Sequence, residues 1–184
     1  MILHIDRALT GEILDLGGGG EGVIGRVYRE QVTAIDICPE ELDEAPDVCR
    51  KLVMNATALA FPGDRFDHVT AFFSLLYMGR CAQQRAIAEA ARVLRPGGRL
   101  HIWDADVISA EPEPFLIDLD LRLPRESLHT TYGVVKPDAQ QDSARFVRLC
   151  EGVGLNLLHR QESEGAFYLE FEKLKEGNPN ENRH

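Results

Sequence analysis

EILDLGGGGEGVIG, residues 12–25, decides how the chain folds. It opens with a short apolar run, the signature of a buried β-strand, and the run halts at four consecutive glycines, Gly17 to Gly20. Val23, Ile24 and Val27 then recur at helical spacing. A plain strand-to-helix turn needs fewer glycines than this. Each glycine costs chain entropy, and what a cluster of them offers is a tight turn with backbone N–H groups that a ligand can approach closely. The helix that follows adds a partial positive charge suited to a carboxylate or phosphate.

The rest of the chain continues the alternation. QVTAIDI (31–37) is β-branched and bounded by Pro39, which predicts a buried strand. EELDEAP (40–46) has room for a short helix only. CRKLVMN (49–55) reads as a third strand and FDHVTAFFSLL (66–76) as a fourth, unusually apolar one. CAQQRAIAEAARVL (81–94) is an alanine-rich helix with one apolar side, which Pro96, Gly97 and Gly98 are expected to end. RLHIWDADVI (99–108) is a fifth strand. Apolar strands alternating with helices imply a parallel sheet covered on both faces, doubly wound by right-handed crossovers. After Ile108 the pattern changes. FLIDLDLRLP (115–124) and SLHTTYGVVK (127–136) can pair across Arg125 and Glu126, so a β-hairpin insertion is expected at about 113–136. A helix over 138–154 and an antiparallel strand pair, NLLHRQ and AFYLEFEKL, follow at one sheet edge. The expected class is α/β: a doubly wound, mostly parallel sheet with an antiparallel last strand, in one domain over 1–174. The polar tail, 175–184, has nothing apolar to anchor it and is expected to be disordered.

At 184 residues, 44% apolar and 27% charged, the chain can bury a sizeable core without staples. The formal net charge of −10 argues against a whole-surface attraction for nucleic acid or an anionic membrane. No stretch approaches the roughly 20 apolar residues of a membrane span, and 1–10 lacks an apolar run of signal-peptide length. A cytoplasmic location is expected. Cys38, Cys49, Cys81 and Cys150 have neither metal-finger nor redox spacing and are expected to be reduced and mostly buried. There is no metal-ligand cluster, P-loop lysine or serine-hydrolase elbow.

Asp36 ends the second strand, about 20 residues beyond the first glycine, where a carboxylate can accept hydrogen bonds from two ribose hydroxyls. Gly17, Gly19 and Gly22 also satisfy G-x-G-x-x-G, so the loop by itself does not separate S-adenosyl-L-methionine from NAD.

Four stretches together resemble the class I, seven-stranded, Rossmann-like S-adenosyl-L-methionine-dependent methyltransferases, especially the small type 11 sort. ILDLGGGG is similar to that family's first motif and VTAIDICPEEL to its second-strand motif. NATALAFPGDRFDHVTAFFSLLYM is similar to the stretch that usually reads D-A-x-x-L-P-F-x-x-x-x-F-D-x-V. RVLRPGGRLHI resembles R-x-L-[KR]-P-G-G-x-L; it is the most specific of the four, and dinucleotide dehydrogenases have no reason to carry it. The resemblance spans 12–108. It implies that Asp15 faces the amino acid end of S-adenosyl-L-methionine, that Gly17 and Gly19 pass under its methionine part, and that Asp36 holds the ribose. Ile37 would pack on the adenine, with Ala56 and Thr57 at its edge. Asn55 stands where the family usually has an acid accepting from the adenine amine. Ser74 to Tyr77 would line the methyl-transfer site. Two departures stand out: Glu21 occupies the place of a third glycine, and the segment between Asp36 and Asn55 is short.

The implied activity is methyl transfer to a small-molecule acceptor, leaving S-adenosyl-L-homocysteine. An acidic nucleophile can react through proximity and alignment, whereas a harder one needs a base. Tyr77, Asp104 and Asp106 are the candidates for that base, and His101, in mid-strand, reads as a core residue. The hairpin, with His129 and Tyr132, could cover the substrate, form a homodimer contact or present a solvated edge. A non-catalytic S-adenosyl-L-methionine- or nucleotide-binding module and an NAD-dependent oxidoreductase are the rival functions.

Overall fold

The computed structural model of the chain describes residues 1–109 and 111–175. Positions 176–184 of the expected disordered tail lie outside the described residues. A short strand β1 (Ile2–His4) precedes β2 (Ile13–Leu16), all four residues of which are buried, and the glycine run leads into α1 (Val23–Tyr28). β3 (Val32–Asp36), α2 (Pro39–Glu44) and β4 (Arg50–Val53) follow. Pro39 opens α2, where its fixed φ and missing N–H are tolerated. Next come β5 (Phe66–Phe72), a 3-10 turn (Leu75–Tyr77), α3 (Arg80–Val93) and β6 (Leu94–Ala105). β7 (Phe115–Arg122) and β8 (Ser127–Val134) form the hairpin. α4 (Ser143–Glu151), β9 (Leu155–Ser163) and β10 (Ala166–Lys173) follow it. Asp142 caps α4, its carboxylate accepting from Arg145 N at 2.6 Å.

Among the described residues, seven strands form one sheet in the order β4-β3-β2-β5-β6-β10-β9. β2 to β6 are mutually parallel, and β10 runs antiparallel to both of its neighbours. The sheet is α/β, doubly wound and mostly parallel, as the alternation predicts. From β2 the chain moves to β3 on one side and later returns to β5 on the other. The switch between these directions opens a crevice at the carboxyl ends of β2 and β5, the usual ligand position in such sheets.

Three details differ from expectation. β6 begins at Leu94, so α3 ends before Pro96-Gly97-Gly98, and those residues lie inside the strand. Of the four cysteines only Cys150 is buried; Cys81 is exposed and the other two are half-buried. β1, three residues long and too short to read from periodicity, pairs in parallel with β7 and turns the hairpin into a three-stranded sheet.

Each face of the seven-stranded sheet has its own core. On one, Leu14, Leu16, Ile35, Val69 and Ile102 pack against Ala86, Ile87 and Ala90 of α3 and Phe146 of α4. On the other, Ile13, Val32, Ala34 and Trp103 meet Val23 and Ile24 of α1 and Ile117, Leu119, Leu121 and Tyr132 of the hairpin. Strict alternation in β7 puts Ile117, Leu119 and Leu121 inward and Leu116, Asp118 and Asp120 outward. The hairpin therefore takes a place on the sheet face beside α1.

Leu119 is fully buried between the two sheets. Leu119→Ala is expected to lower the stability of the whole chain by about 2–5 kcal/mol, with a single cooperative transition in urea. An unchanged midpoint would mean that the hairpin is an independent flap.

Candidate functional site

The crevice is a cavity of about 1000 Å³, floored by the glycine loop. The loop is pressed between β3, β5 and α2. A Cβ on Gly17, where φ is +72°, would lie 2.5 Å from Ser74 Cβ. One on Gly19 would lie 2.5 Å from Glu41 Cβ and 3.0 Å from Asp36 Oδ2. No side chain fits at either position, which is why the sequence uses glycine there. Ser74 is fixed by donating from Oγ to Leu16 O at 2.6 Å. Several of the loop's peptide groups are already engaged. Gly17 and Gly18 N–H both donate to Ile35 O, and Gly20 N–H donates to Glu41 O.

Asp15, on β2, is buried and lines the cavity; Thr70 Oγ1 donates to its Oδ1 at 2.7 Å. Burial pushes its carboxyl up to about 7, with Thr70 opposing the shift and Asp36 adding to it. Asp36 lines the opposite wall at the end of β3, and its Oδ1 accepts from Cys38 N at 3.0 Å. Ile37, 68% exposed, presents its apolar side chain to the cavity. Asn55, Ala56 and Thr57 line the same wall. Asn55 differs from its expected role. Its Oδ1 accepts from both Thr57 N (2.9 Å) and Thr57 Oγ1 (2.8 Å), so both lone pairs are occupied and the NH2 group is what it can offer a ligand.

Asp15, Gly17, Gly19, Asp36, Ile37, Asn55, Ala56, Thr57, Ser74 and Tyr77 thus all line one cavity. Asp104 and Asp106, the other two candidates for a base, do not. β10 flanks β6 in the sheet, and the loop before α4, bridged to Val107 through Gln141, closes over the end that the isolated strand would expose. Asp104 is fully buried and holds three donors: Leu76 N at 3.1 Å, Ala105 N at 2.8 Å and Gln141 Nε2 at 2.9 Å. Burial pushes its carboxyl up to about 7 against those donors. Asp106 accepts from Ser143 N, outside the cavity. His101 is a core residue, bonded to His68 at 3.0 Å and Tyr168 at 2.9 Å. Burial, the positive neighbours Arg7 and Arg99, and His68 hold its pKa down at about 3, so it is neutral.

The hairpin, whose role the sequence left open between a cover, a dimer contact and a solvated edge, supplies the roof of the cavity through Tyr132, while His129 lies away from it beside Asp120. Thr131 and Tyr132 of β8 line the roof, together with Phe72 and Phe73 at the end of β5. Phe73 takes a left-handed backbone (φ +46°), unusual for a bulky side chain, and its ring stacks on Tyr132 at 4.9 Å. Lys136 Nζ ties the hairpin down by donating to Leu76 O and Met78 O, each at 2.6 Å. Tyr77 Oη accepts from Gly133 N at 3.4 Å, and burial raises its pKa. Among the described residues the lining carries five carboxylates, Asp15, Glu21, Asp36, Glu41 and Glu44, against the single cation Arg85. Burial raises the Glu41 carboxyl, and its neighbours Glu44, Asp36 and Glu21 raise it further, so the cavity favours a ligand with positive charge. Among the described residues no helix is long and apolar enough to cross a membrane.

Residues 14–102 match the methyltransferase domain family. The chain is 32% identical over 145 residues to the 27-O-demethylrifamycin SV methyltransferase of Amycolatopsis mediterranei, covering 72% of this chain and 52% of that protein. It is 37% identical over 101 residues to the demethylmenaquinone methyltransferase of Tropheryma whipplei, covering 50% of this chain and 41% of that one. The chain therefore spans about half the length of the curated relatives it matches. A solved structure of a SAM-dependent methyltransferase from Methanosarcina mazei shares the fold, with a TM-score of 0.66 at 21% identity over 91% of this chain and 95% of that one.

The three donors gathered on Asp104 make its role testable. Asp104→Asn turns an amide donor against backbone or Gln141 donors and is expected to cost about 1–3 kcal/mol in urea unfolding. A variant as stable as the parent would mean that these hydrogen bonds do not support the end of β6.

Proposed function

We propose that this chain, which belongs to the class I S-adenosyl-L-methionine-dependent methyltransferases, binds S-adenosyl-L-methionine in the cavity at the ends of β2, β3 and β5 and methylates a small-molecule acceptor. One observation carries this reading: a side-chain-free glycine floor lies between two carboxylates on adjacent strands, Asp15 and Asp36. Such a floor admits a flat ligand against the backbone. The two acids suit an ammonium at one end and a ribose at the other. The surplus of carboxylates in the lining suits a ligand that carries a sulfonium as well.

Asp15 takes the amino acid end, and its carboxyl becomes fully ionised against the ammonium. Asp36 Oδ2 faces the cavity beside Gly19, so it is free for the ribose while Oδ1 holds the turn at Cys38. Ile37 covers one adenine face. Ala56 and Thr57 meet the ring edge, where the Asn55 NH2 donates to a ring nitrogen. When bound, S-adenosyl-L-methionine supplies an electrophilic methyl group on its sulfonium. Tyr77 and Ser74 lie just past β5, where the acceptor meets that methyl. Small acceptors are also what the names of the two relatives give, a rifamycin precursor and demethylmenaquinone.

Asp36→Ala is expected to weaken S-adenosyl-L-methionine binding at least roughly tenfold, about 1.4 kcal/mol, without unfolding the chain. Unchanged affinity in a folded variant would remove the ribose assignment. A pH dependence also follows. Asp15, with its carboxyl near 7, is largely neutral at pH 6 and ionised at pH 8. Only the ionised form pairs with an ammonium. Affinity should therefore strengthen as pH rises through 7, with proton release on binding, and Asp15→Asn should flatten the profile. Affinity that falls over this interval would contradict the pairing.

A further inference from the structure

Glu21 stands where the resemblance calls for a glycine, and its side chain does not point idly into solvent. It reaches from the glycine loop to the hairpin more than a hundred residues away in sequence, where Thr130 Oγ1 donates to its Oε1 and Tyr132 Oη to its Oε2 at 3.2 Å. Arg26, the basic residue of α1, leaves this carboxylate alone: it donates to the Glu21 backbone carbonyl and pairs its guanidinium with Glu126 at 3.0 Å. Glu21 is thus a carboxylate held by two neutral hydroxyls, in the wall of the cavity.

Tyr132 gives its one proton to Glu21, which leaves its oxygen lone pairs to accept from a ligand. The ring cannot swing away, because it stacks on Phe73 and meets Phe72 edge-on at 6.2 Å. Burial and the Glu21 charge raise its pKa, so it remains a protonated donor. Tyr77 closes the other side of this space and is half-exposed toward it.

We propose that Tyr132 and Glu21 together accept the acceptor's proton, and that the acceptor is an uncharged aromatic hydroxyl compound seated against Tyr77 and Tyr132. This inference rests on the methyl-transfer reading. Aromatic rings suit a wall built from the Tyr77 and Tyr132 rings, with Phe73 backing Tyr132 from behind. The Glu21 carboxylate, held by hydroxyls and not by a cation, opposes a phenolate beside it, so the hydroxyl keeps its proton until attack and a receiver must stand ready for it. As the acceptor oxygen forms its bond to the methyl carbon, its proton passes to Tyr132 Oη and the Tyr132 proton passes to Glu21. The carbon–sulfur bond breaks with its electron pair kept by sulfur, which becomes a neutral thioether. Atoms and charge then balance with no further reactant.

The probe is 4-nitrophenol, whose phenol and phenolate absorb differently and coexist near neutral pH. It is added to protein saturated with S-adenosyl-L-homocysteine, with thermal melting as a check on folding. Wild-type protein should bind the probe as the phenol, with loss of the phenolate band. Glu21→Gln and Tyr132→Phe should each shift the bound phenol-to-phenolate ratio toward phenolate by at least roughly tenfold. Glu21→Asp, which keeps the charge, should largely restore the phenol. The inference is overturned if the probe does not bind the loaded protein, or if its ionisation is the same in wild type and in whichever of the two variants folds. Failure of S-adenosyl-L-homocysteine itself to bind would sink the methyl-transfer reading instead.

Discussion

The structure depends on how closely the loop after β2 approaches its surroundings. At Gly17 the backbone runs so near Ser74 that a Cβ would lie 2.5 Å from Ser74 Cβ, and the left-handed φ excludes ordinary residues independently. Gly17 and Gly18 are then bonded to Ile35 O, which fixes the loop to β3. Because the loop lies this flat, the carboxyl ends of β2, β3 and β5 stay open, and the cavity has a floor of backbone instead of side chains. Asp15 and Asp36 face each other across that floor only because parallel β2 and β3 are paired in register, Asp15 against Ala34 and Leu16 against Ile35.

The hairpin completes what the loop leaves open. Its inward residues share a core with α1 and the sheet, and it is fastened by Glu21 to Thr130 and Tyr132, by Arg26 to Glu126, by Tyr77 to Gly133 and by Lys136 to the turn after β5. Holding Glu21 with hydroxyls preserves its charge where a lysine would have neutralised it. The roof, the floor and the proposed proton acceptor are therefore one connected network, and a change at Tyr132 is felt at the glycine loop.

Much of this was legible in the sequence because it depends on local pattern. The apolar runs, the glycine cluster, Asp36 and the alanine-rich helix are each set by residues close together in the chain, and the cofactor-side candidates all reach one cavity. What was not legible is set by distant packing. Strand alternation gives the side of β6 on which Asp104 lies, but only the neighbouring Gln141 and Leu76 show that it is buried and engaged as a hydrogen-bond acceptor. Asn55 followed two residues later by Thr57 is a local turn signal that could have warned that its amide oxygen was engaged. Glu21 was visible as a misfit in the glycine pattern; its partners in the hairpin were not, because no periodicity links residues so far apart.

Calorimetric titration of the purified protein with S-adenosyl-L-methionine, S-adenosyl-L-homocysteine and NAD, side by side, tests the central claim most directly. Binding of the first two and none of NAD is the predicted result; binding of NAD alone would contradict the account.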